Sequence, residues 1–251
     1  MSDLDRGDAS RRLRRRFFRN LGFGLLVFAL AAGAWGLMLR GRKEGGLPVG
    51  LRRMHEWNER VARTLFRSEQ LAPEFPRESA TEPRVNGMIG LKDPGFKLEQ
   101  WSLSLEGNGR KVTLRLPDLQ KLPQVAMTTE LKCIEGWSTI TSWAGITLRS
   151  LLEKYGMLTP ELATEGYVGL STPDGKYYVG IEMATALHSQ TLLAWEMNGA
   201  LLTLDHGAPL RLATPLKYGI KNIKRVGRIT VGPDRPSDYW AQQGYDWYSG
   251  H

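Results

Sequence analysis

A single cysteine is the residue of this sequence best suited to binding a metal. Cys133 is the one cysteine among 251 residues, so it can form neither an internal disulfide nor a zinc site with other cysteines. Its thiolate would suit a soft metal, whereas a lone cysteine is also commonly a small, inert core residue. The spacing typical of metal ligands is absent from the histidines, which are His55, His188, His206 and His251. Residue type alone leaves the role of Cys133 open.

The sequence around Cys133 favours an accessible thiol. An apolar stretch that predicts a β-strand precedes it, and Glu135-Gly136-Trp137 follows. A side chain at the end of a strand lies at a rim or cleft, where a soft metal could reach its thiolate. Three further motifs follow in order: Trp-Ala-Gly at 143–145, HGAPLR at 206–211 and PLKYGIKNIK at 215–224.

Taken together and in this order, the four motifs resemble those of the sulfite-oxidase-fold family of molybdopterin oxidoreductases. The resemblance covers roughly residues 86–231 and is closest to the short bacterial branch, which includes the periplasmic protein-methionine-sulfoxide reductase catalytic subunits. It implies a Mo-molybdopterin cofactor whose metal is bound by two dithiolene sulfurs, by oxo or hydroxo ligands and by the thiolate of Cys133.

The resemblance also implies how the protein holds the rest of the cofactor. Arg211 matches a position that binds the phosphate, for which a forked guanidinium is better suited than lysine. Asn222, Ile223 and Lys224 match a backbone-and-lysine contact to the same end. His206 stands where close relatives often carry asparagine, and Leu216 where they often carry tryptophan. The alternative for Arg211 and Lys224 is a solvated basic strand.

Further contacts to the pterin are implied at the positions Asn86, Ile89, Gly90 and Thr172. Here the alternative is simple turn chemistry, because Asn86-Gly87 and Thr172-Pro173 are ordinary turn pairs.

The elements that must position these residues are short, and most are predicted strands. Period-two alternation predicts strands at 101–105 and 112–116 around Asn108-Gly109. Further strands are predicted at 167–171, 177–181, 192–197, 201–204 and 226–231. Helices are predicted at 51–71, from an amphipathic pattern, and at 147–155, with Thr147 as N-cap and Gly156 as terminator. The fold class predicted is α+β and strand-rich, with a sulfite-oxidase-type molybdopterin-binding domain.

The N-terminal region predicts export and an anchor. Residues 21–39 contain no charge and are long enough to span a bilayer as a helix, in contact with membrane lipid. A basic cluster precedes this stretch, with six arginines at positions 11, 12, 14, 15, 16 and 19, and it places the body of the protein outside the cytoplasm. Residues 14–19 (RRRFFR) resemble a twin-arginine export signal, the alternative being a generic basic flank. A small-residue cleavage motif occurs at 32–34, but the apolar run continues to Leu39, so we expect an uncleaved anchor.

The charge distribution argues against nucleic-acid binding. Ten of the 34 basic residues but three of the 26 acidic residues lie within 1–43, which leaves the other 208 residues with 24 basic and 23 acidic side chains. The body of the protein is therefore nearly neutral. One basic run, consisting of Lys217, Lys221, Lys224, Arg225 and Arg228, has no aromatic platform beside it, and a phosphate-bearing cofactor explains it better than RNA.

We therefore expect an export signal and anchor at 1–43, a lead-in at 44–85, an oxidoreductase domain at 86–235 and a tail at 236–251. The resemblance implies two-electron oxygen-atom transfer, with reduction of a sulfoxide-like substrate on the outer face of the cytoplasmic membrane. The alternatives are a sulfite dehydrogenase or oxidase and a non-catalytic pterin-binding module. Since no haem domain follows residue 231, we expect an external electron partner: a membrane haem subunit linked to quinones, or a soluble cytochrome.

Overall fold

The computed structural model describes residues 3–81 and 84–251, and side chains from residue 14 onward. Pro83, in the lead-in, and the side chains of Arg11 and Arg12, in the basic cluster, lie outside the described residues. The chain divides into two compact units, residues 1–56 and 57–251.

The first unit is dominated by helix α1 (Asp3–Arg40). Within it, Arg14–Arg40 is long and apolar enough to cross a membrane, a property that a signal sequence near an N-terminus shares. Most of its large apolar side chains are exposed rather than packed against protein, whereas Met38 lies beside Gly50. Two short strands, β1 (Lys43–Glu44) and β2 (Leu47–Pro48), then pair antiparallel.

Helix α2 (Val49–Leu65) ends earlier than the predicted boundary at residue 71. Residues 67–70 form a turn instead, closed by a hydrogen bond from the Gln70 amide to the Arg67 carbonyl at 3.1 Å. The side of α2 that is buried carries Glu59, which forms an ion pair with Arg235 at 2.6 Å. Burial nevertheless raises the pKa of Glu59.

Strands build most of the second unit. In chain order the described strands are β3 (Leu103–Gly107), β4 (Arg110–Leu114), β5 (Val125–Lys132), β6 (Ser138–Thr147), β7 (Tyr167–Ser171), β8 (Tyr178–Glu182), β9 (Leu192–Met197), β10 (Ala200–Leu201), β11 (Arg211–Ala213) and β12 (Arg228–Gly232). The helices between and after them are α3 (Leu116–Leu119), α4 (Leu148–Lys154), α5 (Pro160–Glu165), α6 (Met183–Ala186) and α7 (Tyr239–Gln242). The strand-rich α+β class is confirmed.

These strands form two sheets. One has the order β10-β9-β6-β5, with β11 paired to β9, and the other has the order β4-β3-β12-β7-β8. The pairing of β12 with β3 is parallel, and β12 is antiparallel to β7. Apolar side chains of both sheets share one core, together with those of α4. Burying these faces against each other fixes the strand ends that carry the site.

Local signals determine several elements. Asn108 and Gly109 take positive φ angles in the tight turn between β3 and β4, as the Asn-Gly pair predicts. The Thr147 side chain accepts a hydrogen bond from the Ser150 amide and begins α4, and Gly156 has a φ of 64° beyond its end. The predicted strand at 201–204 is wrong beyond Leu201, because residues 204–206 form a 3-10 turn.

Candidate functional site

Cys133 lies at the tip of the hairpin formed by β5 and β6. The Cys133 amide donates to the Trp137 carbonyl at 2.8 Å, and the Gly136 amide donates to the Cys133 carbonyl at 3.1 Å. Gly136 has a φ of 85°, a conformation that side-chain-bearing residues rarely adopt. The Glu-Gly-Trp sequence thus closes a tight loop that fixes the cysteine at the end of β5.

The thiol of Cys133 is half-buried rather than sealed in the core. The Asn86 side-chain nitrogen lies 4.0 Å from its sulfur and 3.0 Å from a carboxylate oxygen of Glu135. The same oxygen accepts a hydrogen bond from the Trp137 indole at 2.9 Å. Burial raises the pKa of the thiol, and the nearby charge of Glu135 raises it further, so the thiol is protonated at neutral pH unless a cation displaces the proton.

Arg211 begins β11 and points into the interior. Its guanidinium donates to the carbonyl oxygens of His206 and Asn222, both at 3.2 Å, and lies over the Trp143 ring at 4.6 Å. No carboxylate of the described residues forms an ion pair with it. Burial lowers its pKa to about 10. The alternative of a solvated basic strand is therefore wrong for Arg211, because its guanidinium is buried.

Lys224 brings a second cation to the same place. Its ammonium group donates to the carbonyl oxygens of Asn86 and Asp205, at 2.5 and 2.8 Å. Burial, and secondarily the charge of Arg211, lowers the pKa of Lys224 to about 8. Gly207 permits this arrangement, because a Cβ on it would lie 2.6 Å from the Lys224 Cβ. Two like charges thus act on each other at this end of the cleft, and such a pair is chemically suited to binding an anion.

One cleft connects the cysteine to these cations, with about 1020 Å³ of empty space including the part open to solvent. Seven of the residues assigned from the sequence line it: Asn86, Ile89, Cys133, His206, Arg211, Asn222 and Lys224. The structure therefore brings together side chains that are up to 138 positions apart in the chain.

Three assigned residues do not line the cleft. Gly90 packs against Thr172, where an added Cβ would lie 2.6 Å from the threonine hydroxyl. The Thr172 hydroxyl donates to Asp174 at 2.6 Å and accepts from the Tyr177 amide at 3.2 Å, which is turn chemistry. Ile223 is fully buried in the core.

Asn222 lines the cleft, but its side chain also ties the neighbouring loop together. Its oxygen accepts from the Thr214 amide at 2.7 Å, and its nitrogen donates to the carbonyl oxygens of Lys217 and Tyr218 at 3.3 and 3.4 Å. These bonds hold the carbonyl of Asn222 where Arg211 reaches it.

Most of the basic run is structural, so the expectation that a phosphate explains it is wrong for four of its five members. Lys217 pairs with buried Glu182 at 2.7 Å, and Lys221 pairs with buried Asp238 at 2.5 Å. The remaining two contact carbonyl oxygens or surface carboxylates: Arg225 donates to Leu91, and Arg228 donates to Glu106. Lys224 alone of this run lines the cleft.

The cleft also contains aromatic and charged residues that the sequence analysis left without a role. Glu135 and Trp137 belong to the Cys133 motif, and the Arg84 guanidinium lies over the Trp137 ring at 5.1 Å. Three further aromatic side chains in the lining are Tyr177, Trp240 and Tyr245. The many aromatic residues after residue 238 could have indicated that this segment packs against the domain, because a segment rich in Trp and Tyr rarely stays exposed to water.

Residues 91–240 match the family described as "Oxidoreductase molybdopterin binding domain". The chain belongs to this family. It is therefore a molybdopterin-binding oxidoreductase, and its cofactor is Mo-molybdopterin. The matched segment includes Cys133, Arg211 and Lys224, and it begins just after Asn86.

Two relatives and one solved structure agree with this membership. A protein of Azospira oryzae, named provisionally as the protein-methionine-sulfoxide reductase subunit YedZ1, is 37% identical over 200 residues, covering 78% of this chain and 74% of its own. The protein-methionine-sulfoxide reductase catalytic subunit MsrP of Campylobacter jejuni is 31% identical over 170 residues, covering 61% and 57%. The crystal structure of the sulfane dehydrogenase SoxCD from Paracoccus pantotrophus is similar in fold, with a TM-score of 0.52 and 19% identity over 67% of this chain and 46% of that chain.

The residues of the cleft are chemically suited to the family's cofactor. A soft-metal ligand, Cys133, lies at the cleft, and the buried Arg211 and Lys224 offer N–H donors to a phosphate. Thr141, which also lines the cleft, is fully buried and its hydroxyl has no hydrogen-bond partner among the described residues. A buried hydroxyl without a hydrogen-bond partner costs folding free energy, and a polar ligand in the cleft that bonded to it would remove this cost.

Proposed function

We propose that this oxidoreductase reduces sulfoxides, with molybdenum bound by the Cys133 thiolate and the cofactor phosphate held by Arg211 and Lys224. The observation that carries the proposal is that one cleft holds both an accessible thiol and a buried guanidinium that forms no ion pair with a carboxylate in the part of the chain that the structure describes. The names of the two relatives support sulfoxide reduction, since both refer to protein-methionine-sulfoxide reductase.

The remaining assigned residues have proposed roles that follow their positions. Asn86, Ile89 and His206 line the cleft and would contact the pterin directly. Ile223 would contribute its backbone, because its side chain is in the core. Gly90 and Thr172 would support the loop that carries Asn86 and Ile89, because they pack on each other.

The overall reaction consumes two electrons and two protons: a sulfoxide becomes a thioether, and its oxygen leaves as water. When bound, the cofactor supplies two-electron oxygen-atom transfer. The protein's own residues orient the substrate above the Cys133 loop. Trp137, Tyr177 and Trp240 line the cleft with aromatic surfaces, against which the apolar part of the substrate would pack.

Glu135 favours a neutral substrate over sulfite. Its carboxylate is held beside the thiol by the Asn86 amide and the Trp137 indole, so an anion approaching the metal would meet a negative charge. Sulfite oxidation is the second candidate, and Arg84 at the cleft is the one observation that favours it. Steady-state assays with methionine sulfoxide and with sulfite separate the two reactions.

We further propose that the chain is exported through its twin-arginine-like sequence at 14–19 and stays anchored by the apolar helix, with the catalytic unit on the outer face of the cytoplasmic membrane. The word "subunit" in the names of both relatives supports a dedicated electron partner. A membrane haem protein linked to quinones would supply electrons to a reductase, whereas a soluble cytochrome would accept them from an oxidase.

The decisive experiment measures the metal and the reaction together. Protein from a strain that makes the cofactor should contain about one molybdenum per chain, bound as a thiolate complex. Cys133→Ala should lose sulfoxide reduction and the redox-dependent Mo(V) resonance. Met127→Leu, a conservative change at a buried core position of β5, is the control that should keep both. A fully active Cys133→Ala protein without metal would overturn the proposal.

A further inference from the structure

One face of helix α2 is apolar and exposed. Trp57, Val61 and Leu65 recur at steps of four residues, and their exposed fractions are 54%, 37% and 71%. Met54 extends the row by one turn, with 52% exposed. Residues spaced by three and four lie on one side of a helix, so these four form a continuous row, here called the α2 stripe.

The opposite side of the same helix already contacts the protein. Glu59 is buried and paired with Arg235, and Arg63 donates to the Tyr167 hydroxyl at 3.1 Å. At 100° per residue, Glu59 and Val61 point in directions about 160° apart. The α2 stripe is therefore not a core face that happens to be loosely packed. It faces away from the surface on which the helix rests.

Charge beside the α2 stripe indicates what covers it. Arg53 and Arg60 are exposed next to the stripe, and Glu59 is neutralised by its ion pair with Arg235. An apolar row with a tryptophan at its middle and arginines along its edge is the pattern of a helix that lies in a bilayer interface. The indole is suited to the headgroup level, and guanidinium groups attract anionic lipid phosphates.

The position of α2 in the chain supports a lipid rather than a protein partner. Eight residues separate Arg40, where the candidate membrane span ends, from Val49, where α2 begins. A linker of that length cannot carry the helix farther than about 28 Å from the end of the span. The membrane surface from which the candidate span emerges lies within that distance of α2.

We propose that the α2 stripe inserts into the outer interface of an anionic membrane and holds the catalytic unit against the lipid surface. The inference rests on the anchoring part of the proposed function and is independent of the reaction at Cys133. Insertion would also explain why the exposed side of this helix is apolar, because an apolar surface in contact with water is unfavourable.

The test places an environment-sensitive fluorophore on a cysteine at the α2 stripe. Val61→Cys is labelled in the full-length holoprotein, with Leu65→Cys as a second stripe position should the first variant fold poorly. Glu56→Cys, exposed on the other side of the helix, is the matched control, and the parent protein reports any labelling of Cys133. Each protein is reconstituted in vesicles of phosphatidylglycerol and phosphatidylethanolamine that carry a nitroxide quencher on the acyl chain.

Insertion predicts that the stripe label loses roughly half of its emission to the acyl-chain quencher while the Glu56 label loses little. Replacing phosphatidylglycerol with phosphatidylcholine should weaken quenching at the stripe, because the arginines lose their anionic partners. Vesicle flotation separates the two parts of the proposal. Protein that fails to float overturns both anchor and insertion, and floating protein with equal quenching at residues 61 and 56 overturns insertion alone. If the stripe label became protected from water only after a membrane protein was added to the vesicles, the partner of this face would be a protein and the lipid proposal would be overturned.

Discussion

At the scale of single residues, the buried positive charge of Arg211 leads to a specific prediction. In Arg211→Met, the apoprotein loses three bonds to carbonyl oxygens but also a buried charge that no described carboxylate balances. These effects oppose each other, so its free energy of unfolding should change by no more than about 1 kcal/mol. Molybdenum content should fall about tenfold, because the phosphate loses its forked donor.

The matched control is Arg225→Met. Arg225 also bonds only to carbonyl oxygens and lies over the Phe96 ring at 4.0 Å, yet it does not line the cleft. Because the same two effects oppose each other here, its loss should change the free energy of unfolding about as little as Arg211→Met does, while molybdenum content per folded chain is kept. Denaturant unfolding and metal analysis measure the two quantities separately, and an unchanged metal content in Arg211→Met would contradict the phosphate assignment.

Glu135 supports a prediction about substrate selection. Glu135→Gln keeps a group that can bond to the Trp137 indole and removes the negative charge beside the thiol. Oxidation of sulfite should therefore improve about tenfold in kcat/KM, since the repulsion of an anion is gone. Methionine sulfoxide is neutral, so its KM should change little. Steady-state assays with both substrates test this, and a sulfite rate that stays the same would show that Glu135 does not select by charge.

Residue types alone predicted less of the site than the order of the motifs did. Cys133, Arg211 and Lys224 were assigned from motifs, and all three line one cleft. Asp238 and Glu182 were not foreseen as the partners of Lys221 and Lys217, so the basic run was misinterpreted. Such pairs form through tertiary packing between residues that are far apart in the sequence, so no local sequence pattern predicts them.

At the scale of elements, local turn chemistry explains which strands could be predicted. The hairpins at Asn108-Gly109 and Asn198-Gly199 place all four turn residues at positive φ. Strand β6 was missed because buried Thr141 and Ser142 interrupt the alternation of apolar and polar residues. Strand β11 was missed because its three residues, Arg211–Ala213, are too few to show a period.

Strand β6 also explains the glycine of the Trp-Ala-Gly motif. At Gly145 the register between β6 and β9 shifts, and an added Cβ would lie 2.0 Å from the Leu193 carbonyl oxygen. Gly145→Ala should therefore destabilise the protein by about 2–3 kcal/mol. It should also lower cofactor content, because Trp143, two residues earlier, lies under the Arg211 guanidinium.

Gly232→Ala provides the comparison for this variant, since a Cβ there meets nothing within 4 Å. Its free energy of unfolding should match that of the parent protein to within about 0.5 kcal/mol. Chemical denaturation of both variants distinguishes a steric clash from a general effect of adding a methyl group. If Gly145→Ala were as stable as Gly232→Ala, the close approach of the two strands would not explain the motif.

At the scale of the whole molecule, the C-terminal segment belongs to the cleft rather than trailing behind it. The carboxylate of Asp238 accepts from buried Lys221 and from the Gly180 amide, and it also caps α7. These bonds place Trp240 and Tyr245 at the cleft, with their ring centroids 5.1 Å apart. The segment predicted as a tail at 236–251 therefore supplies one wall of the proposed substrate site.

Asp238→Asn tests this connection between the fold and the site. The buried ammonium of Lys221 would lose its balancing charge, which should cost about 3 kcal/mol of unfolding free energy and loosen the segment. The residues that would hold the cofactor lie before it, so molybdenum content per folded chain should be kept while the KM for methionine sulfoxide rises. Adding Lys221→Met removes the stranded charge and should restore most of the stability. A double variant as unstable as Asp238→Asn alone would show that the ion pair with Lys221 does not set the stability of this segment. The α7 cap would not explain such a loss, because an asparagine side chain caps a helix about as well as an aspartate does.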